Sequence, residues 1–194
     1  EAKDAKKLEK NDSSIKTAVK LWFEDKNKCI EKHGHISNWN TENVTNISHM
    51  FHSAESFNQD ISGWDTSSVI DMSKLFYQAR EFNQDISGWE TKNVKYMNSM
   101  FFGASSFNKP LNNWNTKKVT KMHGMFDGAS SFNQPLNNWN TSSVTNMSDM
   151  FLGARSFNQP LNNWNTKKVT KKDGVFDEAI SMEETNKPRF NSGA

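Results

Sequence analysis

Trp39, Trp64, Trp89, Trp114, Trp139 and Trp164 follow one another at intervals of 25 residues, with no slip in register. So regular a spacing confines the chain to repeat architectures. Three further columns keep the same frame: valine from Val44 to Val169, phenylalanine from Phe51 to Phe176, and alanine from Ala54 to Ala179. Cut at the aliphatic position, the array divides into six units: 36–60, 61–85, 86–110, 111–135, 136–160 and 161–185. A unit this short cannot bury its own aromatic face, so the units are expected to stack. A hydrophobic fraction of 34% is thin for a globule with one central core. Spread at fixed intervals, the same residues fill a narrow stacked core.

The fourth unit shows the internal pattern most clearly. Val119, Met122, Met125, Phe126 and Ala129 step by three and four, the spacing of one helix face. Thr116 stands where an N-cap hydroxyl would sit, and Gly128 where a helix would stop. These positions predict two to three turns of helix per unit, with some 3₁₀ character. The next segment, 131–136, is short and aperiodic and predicts a strand. The expected fold is therefore an α/β solenoid, a leucine-rich-repeat-like stack of six coils. Because packed helices need more room than paired strands, the strand side is expected to be concave. Asn58, Asn83, Asn108, Asn133 and Asn158 form a constant polar column, read as a hydrogen-bonded ladder between coils.

Open ends of a stack need covers. Ile15, Val19, Trp22 and Phe23 make an apolar stripe in a lysine-rich lead-in, which predicts an amphipathic capping helix. In the repeat frame Val19 and Cys29 fall in the valine and alanine columns, so the lead-in reads as a modified coil. The division expected is 1–35 for tail and cap, 36–185 for the solenoid and 186–194 for a C-terminal tail. Lys172 and Met182 break the core pattern of the sixth unit, which is expected to be half exposed. Residues 1–11 and 186–194 are expected to fray. The chain opens at Glu1 with neither a methionine nor a signal-type apolar region, and reads as a mature form or an excised segment.

The run from Met125 through Gly128, Phe132, Asn133 and Pro135 to Trp139 and Thr141 resembles the repeat of BspA-like leucine-rich-repeat surface proteins, a repeat abundant in mycoplasma lipoproteins and found in some marine protists. The likeness spans about 36–185. It implies a protein exposed at the cell surface or outside the cell and engaged in adhesion. It carries over no catalytic residue.

The residues themselves point to no enzyme. Five histidines, His33, His35, His49, His52 and His123, include one pair at helical spacing, but no carboxylate or cysteine joins them at a ligand spacing. No metal and no cofactor is expected. Cys29, the single cysteine, excludes an intrachain disulfide and reads as a small buried residue. Lys117, Lys118 and Lys121 recur as Lys167, Lys168 and Lys171 and form a candidate basic face. A net charge of only +2 argues against a nucleic-acid partner and for a solvated surface. No apolar run is long enough to insert into a membrane within this segment.

Constant columns hold a stack, so variable outward columns are where a partner would be read. The residues after the core phenylalanines run His52, Tyr77, Phe102, Asp127, Leu152, Asp177. Together with Tyr96 in a neighbouring column, Tyr77 and Phe102 make a candidate aromatic patch over the second and third units. Extra packing between coils is the competing explanation for these rings. The function expected is non-catalytic binding of a protein or matrix partner. A structural subunit of a surface layer, virion or matrix assembly, pairing with copies of the same chain, is the alternative.

Overall fold

The computed structural model describes residues 2–191. Three helices open the chain: α1 (Ala2–Leu8), α2 (Asp12–Glu24) and α3 (Lys26–His33). Asn11 starts α2 through a capping box: its side chain accepts from the N–H groups of Ser13 and Ser14, while Ser14 Oγ accepts from its own N–H at 2.9 Å. Asp25 ends α2, since its N–H bonds Leu21 O, and caps α3 by accepting from Lys28 N at 3.0 Å. Helix α2 buries Ile15, Ala18, Val19 and Trp22. Phe23 lies edge-on to Phe51 and Phe57 of the first unit. The lead-in is thus a helical pair against the array, not a modified coil of it. Cys29 is buried and donates to Ala18 O, and burial raises its thiol pKa.

From residue 40 onward, each unit lies as a layer on the next. Parallel bridges join Asn46 to Asp71, Asp71 to Tyr96, Tyr96 to Lys121, Lys121 to Asn146 and Asn146 to Lys171. The core is a set of columns running through the layers. Phe51, Phe76, Phe101, Phe126, Phe151 and Phe176 stack with ring centroids 5.4–5.8 Å apart. A second column from Phe57 to Phe157 repeats at 5.9–6.0 Å. Burying one such side chain contributes about 1.5–3 kcal/mol.

Polar columns serve the backbone between layers. Trp114 Nε1 donates to Ile86 O at 3.1 Å, and the tryptophans from Trp64 to Trp164 all make the same bond. Thr116 is buried, and its hydroxyl donates to Asn140 O of the next layer at 2.9 Å. Asn58, Asn83, Asn108, Asn133 and Asn158 each accept, through Oδ1, the N–H of the residue 25 positions on, so the expected ladder is present.

The helix expected in each unit is not there. Between Asn40 and Glu183 the chain is a succession of turns, closed by i→i+3 bonds such as Val119 N to Thr116 O, Met125 N to Met122 O and Ala129 N to Phe126 O. The intervening N–H groups leave the layer: Met122, Gly124, Phe126 and Gly128 donate to Asn146, Ser148, Met150 and Leu152. A helix would need those donors for itself. The spacing by three and four arises because each turn returns the third or fourth residue to the interior. Thr116 is accordingly no helix cap, and Gly128 no helix stop. Gly128 and Gly124 are turn residues with φ of 68° and 61°, in two columns that keep a left-handed φ even where the residue is His49, Ser53, Lys74 or Gln78.

Nor does 131–136 form a strand; the inter-layer bridge falls at Lys121 instead. Without a helix side, the size mismatch that predicted a concave strand side has no basis. The ends also differ from expectation. Lys10 N bonds Asn40 O at 2.8 Å, and Asp12 accepts the N–H of Thr45 at 2.7 Å, so the lead-in is fastened to the first unit. Asn186 O accepts from Leu161 N at 2.8 Å, which lays the residues after the sixth unit against it. Fraying expected for residue 1 and for 192–194 falls outside the described residues. In the sixth unit Lys172 is exposed and Phe176 half-buried.

Candidate binding face

The path from 46 to 53 buries Ile47, Met50 and Phe51 and leaves His49, His52 and Ser53 outside the core, and its repeats keep the positions of Ile47, Met50 and Phe51 inward through the fifth unit. Phe76 and Phe101 point inward, while the residues that follow them, Tyr77 and Phe102, turn out. Because they occupy one column, layer stacking brings them together. The rings lie 4.4 Å apart and nearly parallel, and His52 continues the stack on the other side of Tyr77 at 4.5 Å. Lys74 Nζ sits 5.9 Å from the Tyr77 ring, within cation–π reach. His52 was absent from the patch expected of Tyr77, Tyr96 and Phe102. Its place in the same column was the signal that could have found it.

Tyr96 belongs elsewhere. Its backbone bridges Asp71 and Lys121, its side chain is 39% exposed, and among the described ring pairs it stacks on neither Tyr77 nor Phe102. Tyr77 and Phe102 are half-buried, so packing between layers and exposure to a partner share the same rings.

The candidate lysines do not converge on one point. Lys118 Nζ reaches back to Asn93 Oδ1 at 3.1 Å, Lys121 Nζ reaches forward to Thr145 Oγ1 at 3.0 Å, and Lys117 is exposed. Two of the three ammonium groups are spent on neighbouring layers.

Further along the aromatic column the chemistry changes. Asp127 follows Phe102, and burial, helped by the nearby Asp149 carboxylate, pushes its pKa up to about 6. His49 and His52 stack at 5.9 Å, and burial, with Lys74 beside it, lowers the pKa of His49. Among the described residues no group of three or more histidine, cysteine or acidic side chains is placed to hold a metal ion. No helix among them is long and apolar enough to cross a membrane.

Two overlapping segments, 17–131 and 106–191, match the family model described as Mycoplasma protein of unknown function, DUF285. The chain belongs to this family. The DUF285 match begins within α2, so it takes in part of the helical lead-in as well as the layers. No curated protein and no solved structure gives a significant match.

Proposed function

We propose that this DUF285 chain is a non-catalytic solenoid of BspA-like type that works outside the cell or at its surface, offering an extended face to a protein or matrix partner. The ladder of parallel bridges from Asn46 to Lys171 supports the solenoid reading. The observation that carries the binding reading is the outward stack of His52, Tyr77 and Phe102 on layers of fixed register. Aromatic rings held rigid before contact lose little freedom when a partner covers them, which is why such residues anchor interfaces. The adhesive role is what the family resemblance adds to this geometry.

The test is a triple substitution, Tyr77→Ser, Tyr96→Ser and Phe102→Ser, followed by thermal melting and by adhesion to cells or matrix. Adhesion is expected to be lost while the melting transition shifts by only a few degrees. Adhesion that survives in the folded triple variant overturns the aromatic reading. Steep salt dependence of the remaining binding would then transfer it to Lys117, Lys118 and Lys121.

A further inference from the structure

Along the path from 47 to 53 and its repeats, every layer donates to the next, whereas bonds elsewhere, such as Thr120 N to Lys95 O, run the other way. The N–H groups of Ile47, His49, Phe51 and Ser53 donate to the carbonyls of Asp71, Ser73, Leu75 and Tyr77 at 2.6–3.1 Å. The same columns repeat this pattern to the last junction, where Met147, Asp149, Phe151 and Gly153 donate to Lys171, Asp173, Val175 and Asp177 at 2.8–2.9 Å. Along this path a layer therefore has an acceptor edge and a donor edge. On the first unit the carbonyls of Ser48, Met50 and His52 accept from no donor among the described residues. On the sixth, the N–H groups of Lys172, Gly174, Phe176 and Glu178 meet no acceptor among them.

Flanking segments attach to each end elsewhere. Lys10 and Asp12 take the backbone of Asn40 and Thr45, and Asn186 and Arg189 take that of Leu161 and the hydroxyl of Thr166. Both ends leave open the same path, once as acceptors and once as donors. Beside the acceptor edge runs a groove of about 620 Å³, walled by Val19 and Phe23 of α2 and rimmed by Lys16, Lys20, His49 and His52, with no carboxylate in its lining. Phe23 is 49% exposed there. The donor edge carries the exposed carboxylates of Asp173, Asp177 and Glu178 together with the exposed Lys171 and Lys172, of which Lys172 Nζ donates to Asn191 O at 2.9 Å, and Ile180 just beyond is 75% exposed.

We propose that the donor edge of one copy docks in the acceptor groove of a second, so that copies extend the array head to tail. Hydrogen-bond polarity and apolar surface match across this junction, and the carboxylates of Asp173, Asp177 and Glu178, which outnumber Lys171 and Lys172, are opposite in sign to Lys16 and Lys20. Because α2 sits over Phe51 and Phe57, the copies meet along the open path and not across whole layers. The contact is small, and its affinity is accordingly modest. It is also heterologous, so association does not close at two. This inference stands apart from the partner reading, since it uses the array's ends and not its outer aromatic column.

Sedimentation of the full chain over a wide concentration range tests it. The mean mass is expected to climb without a plateau and to fall with added salt. Lys16→Glu with Lys20→Glu, and separately Asp177→Lys with Glu178→Lys, are expected to weaken association by about tenfold or more. Mixing the two variants is expected to restore association as a one-to-one pair, because the native edge of the first then meets the native groove of the second; that recovery also shows that both variants fold. A chain that stays monomeric to millimolar concentration, a closed dimer, or association indifferent to both charge reversals overturns the proposal. So does a monomer whose groove binds a free acidic peptide.

Discussion

Phe126 and Asp127 are neighbours in sequence, yet they belong to two columns that obey different rules. The inner column is phenylalanine in every unit, and its rings stand 5.4–5.8 Å apart between layers. In the first five units each ring also stacks on a second phenylalanine of its own layer, as Phe126 does on Phe132 at 4.2 Å, whereas the sixth unit has Met182 at that position. Pinned on both sides, it is held offset from the rings above and below. Among the described residues the outer column has no phenylalanine beside it in its layer, only the looser contacts of His52 with His49 and of Tyr77 with Lys74, both at 5.9 Å, and its rings slide to 4.4–4.5 Å where consecutive units supply them. One repeat distance thus supports a column that tolerates nothing but phenylalanine and another that accepts histidine, tyrosine, aspartate or leucine. Packing from within the layer, more than stacking between layers, makes a column invariant.

Cutting the inner column is expected to have the largest effect. Phe126→Ala removes a fully buried ring with neighbours above, below and beside it, and is expected to cost about 3–5 kcal/mol in a denaturant or thermal melt. A loss no larger than that of an outer-column substitution would erase the distinction.

The outer column is sharpened by pH. Asp127 titrates at about 6 in the folded chain against an ordinary 3.8, so its folded state favours the proton. The site costs nothing below about 3.8, where folded and unfolded chains both bind that proton. The cost grows as pH rises and is complete above about 6. Asp127→Asn is therefore expected to stabilise the chain above pH 6 by on the order of 2 kcal/mol, with the gain vanishing toward pH 4. Comparing variant with parent at each pH is essential, because His33, His49 and His123 have lowered pKa values and destabilise the fold as pH falls. A difference independent of pH would mean that the Asp127 carboxylate is solvated like any other.

The smallest expected effect probes the bonds between layers. Thr116→Ala deletes a buried hydroxyl that satisfies Asn140 O, and is expected to cost about 1 kcal/mol. Amide exchange then separates two mechanisms. Loss of protection in the following layer supports the inter-layer bond, whereas loss confined to 116–119 would return Thr116 to a local cap.

The period, the inward columns and the asparagine ladder were legible because identical neighbours impose identical demands, and six copies display them in one sequence. The helix was misread because steps of three and four describe both a helix face and a coil of successive turns. The deciding bonds, such as Phe126 N to Met150 O, join residues too far apart for a local pattern to register. One warning was present: glycine at 103, 128 and 153, and again at 124 and 174, is a poor choice for a helix interior. For the binding face, Tyr77 and Phe102 were legible as a pair because they share a column. Tyr96 was misplaced because column adjacency does not fix the direction of a side chain. The open edges at the two ends had no signature at all, since backbone donors and acceptors are the same for every sequence.

The polarity of each layer also bears on how such a gene changes. A tandem duplication that inserts one whole unit adds a layer whose edges already fit both neighbours, so no new junction has to arise by mutation. Loss of a unit by recombination is tolerated for the same reason. A single-codon insertion between 46 and 53 has no such licence, because it exchanges donors for acceptors and turns an inward ring outward. Related chains are then expected to differ in copy number and in the order of outer residues while keeping the 25-residue unit.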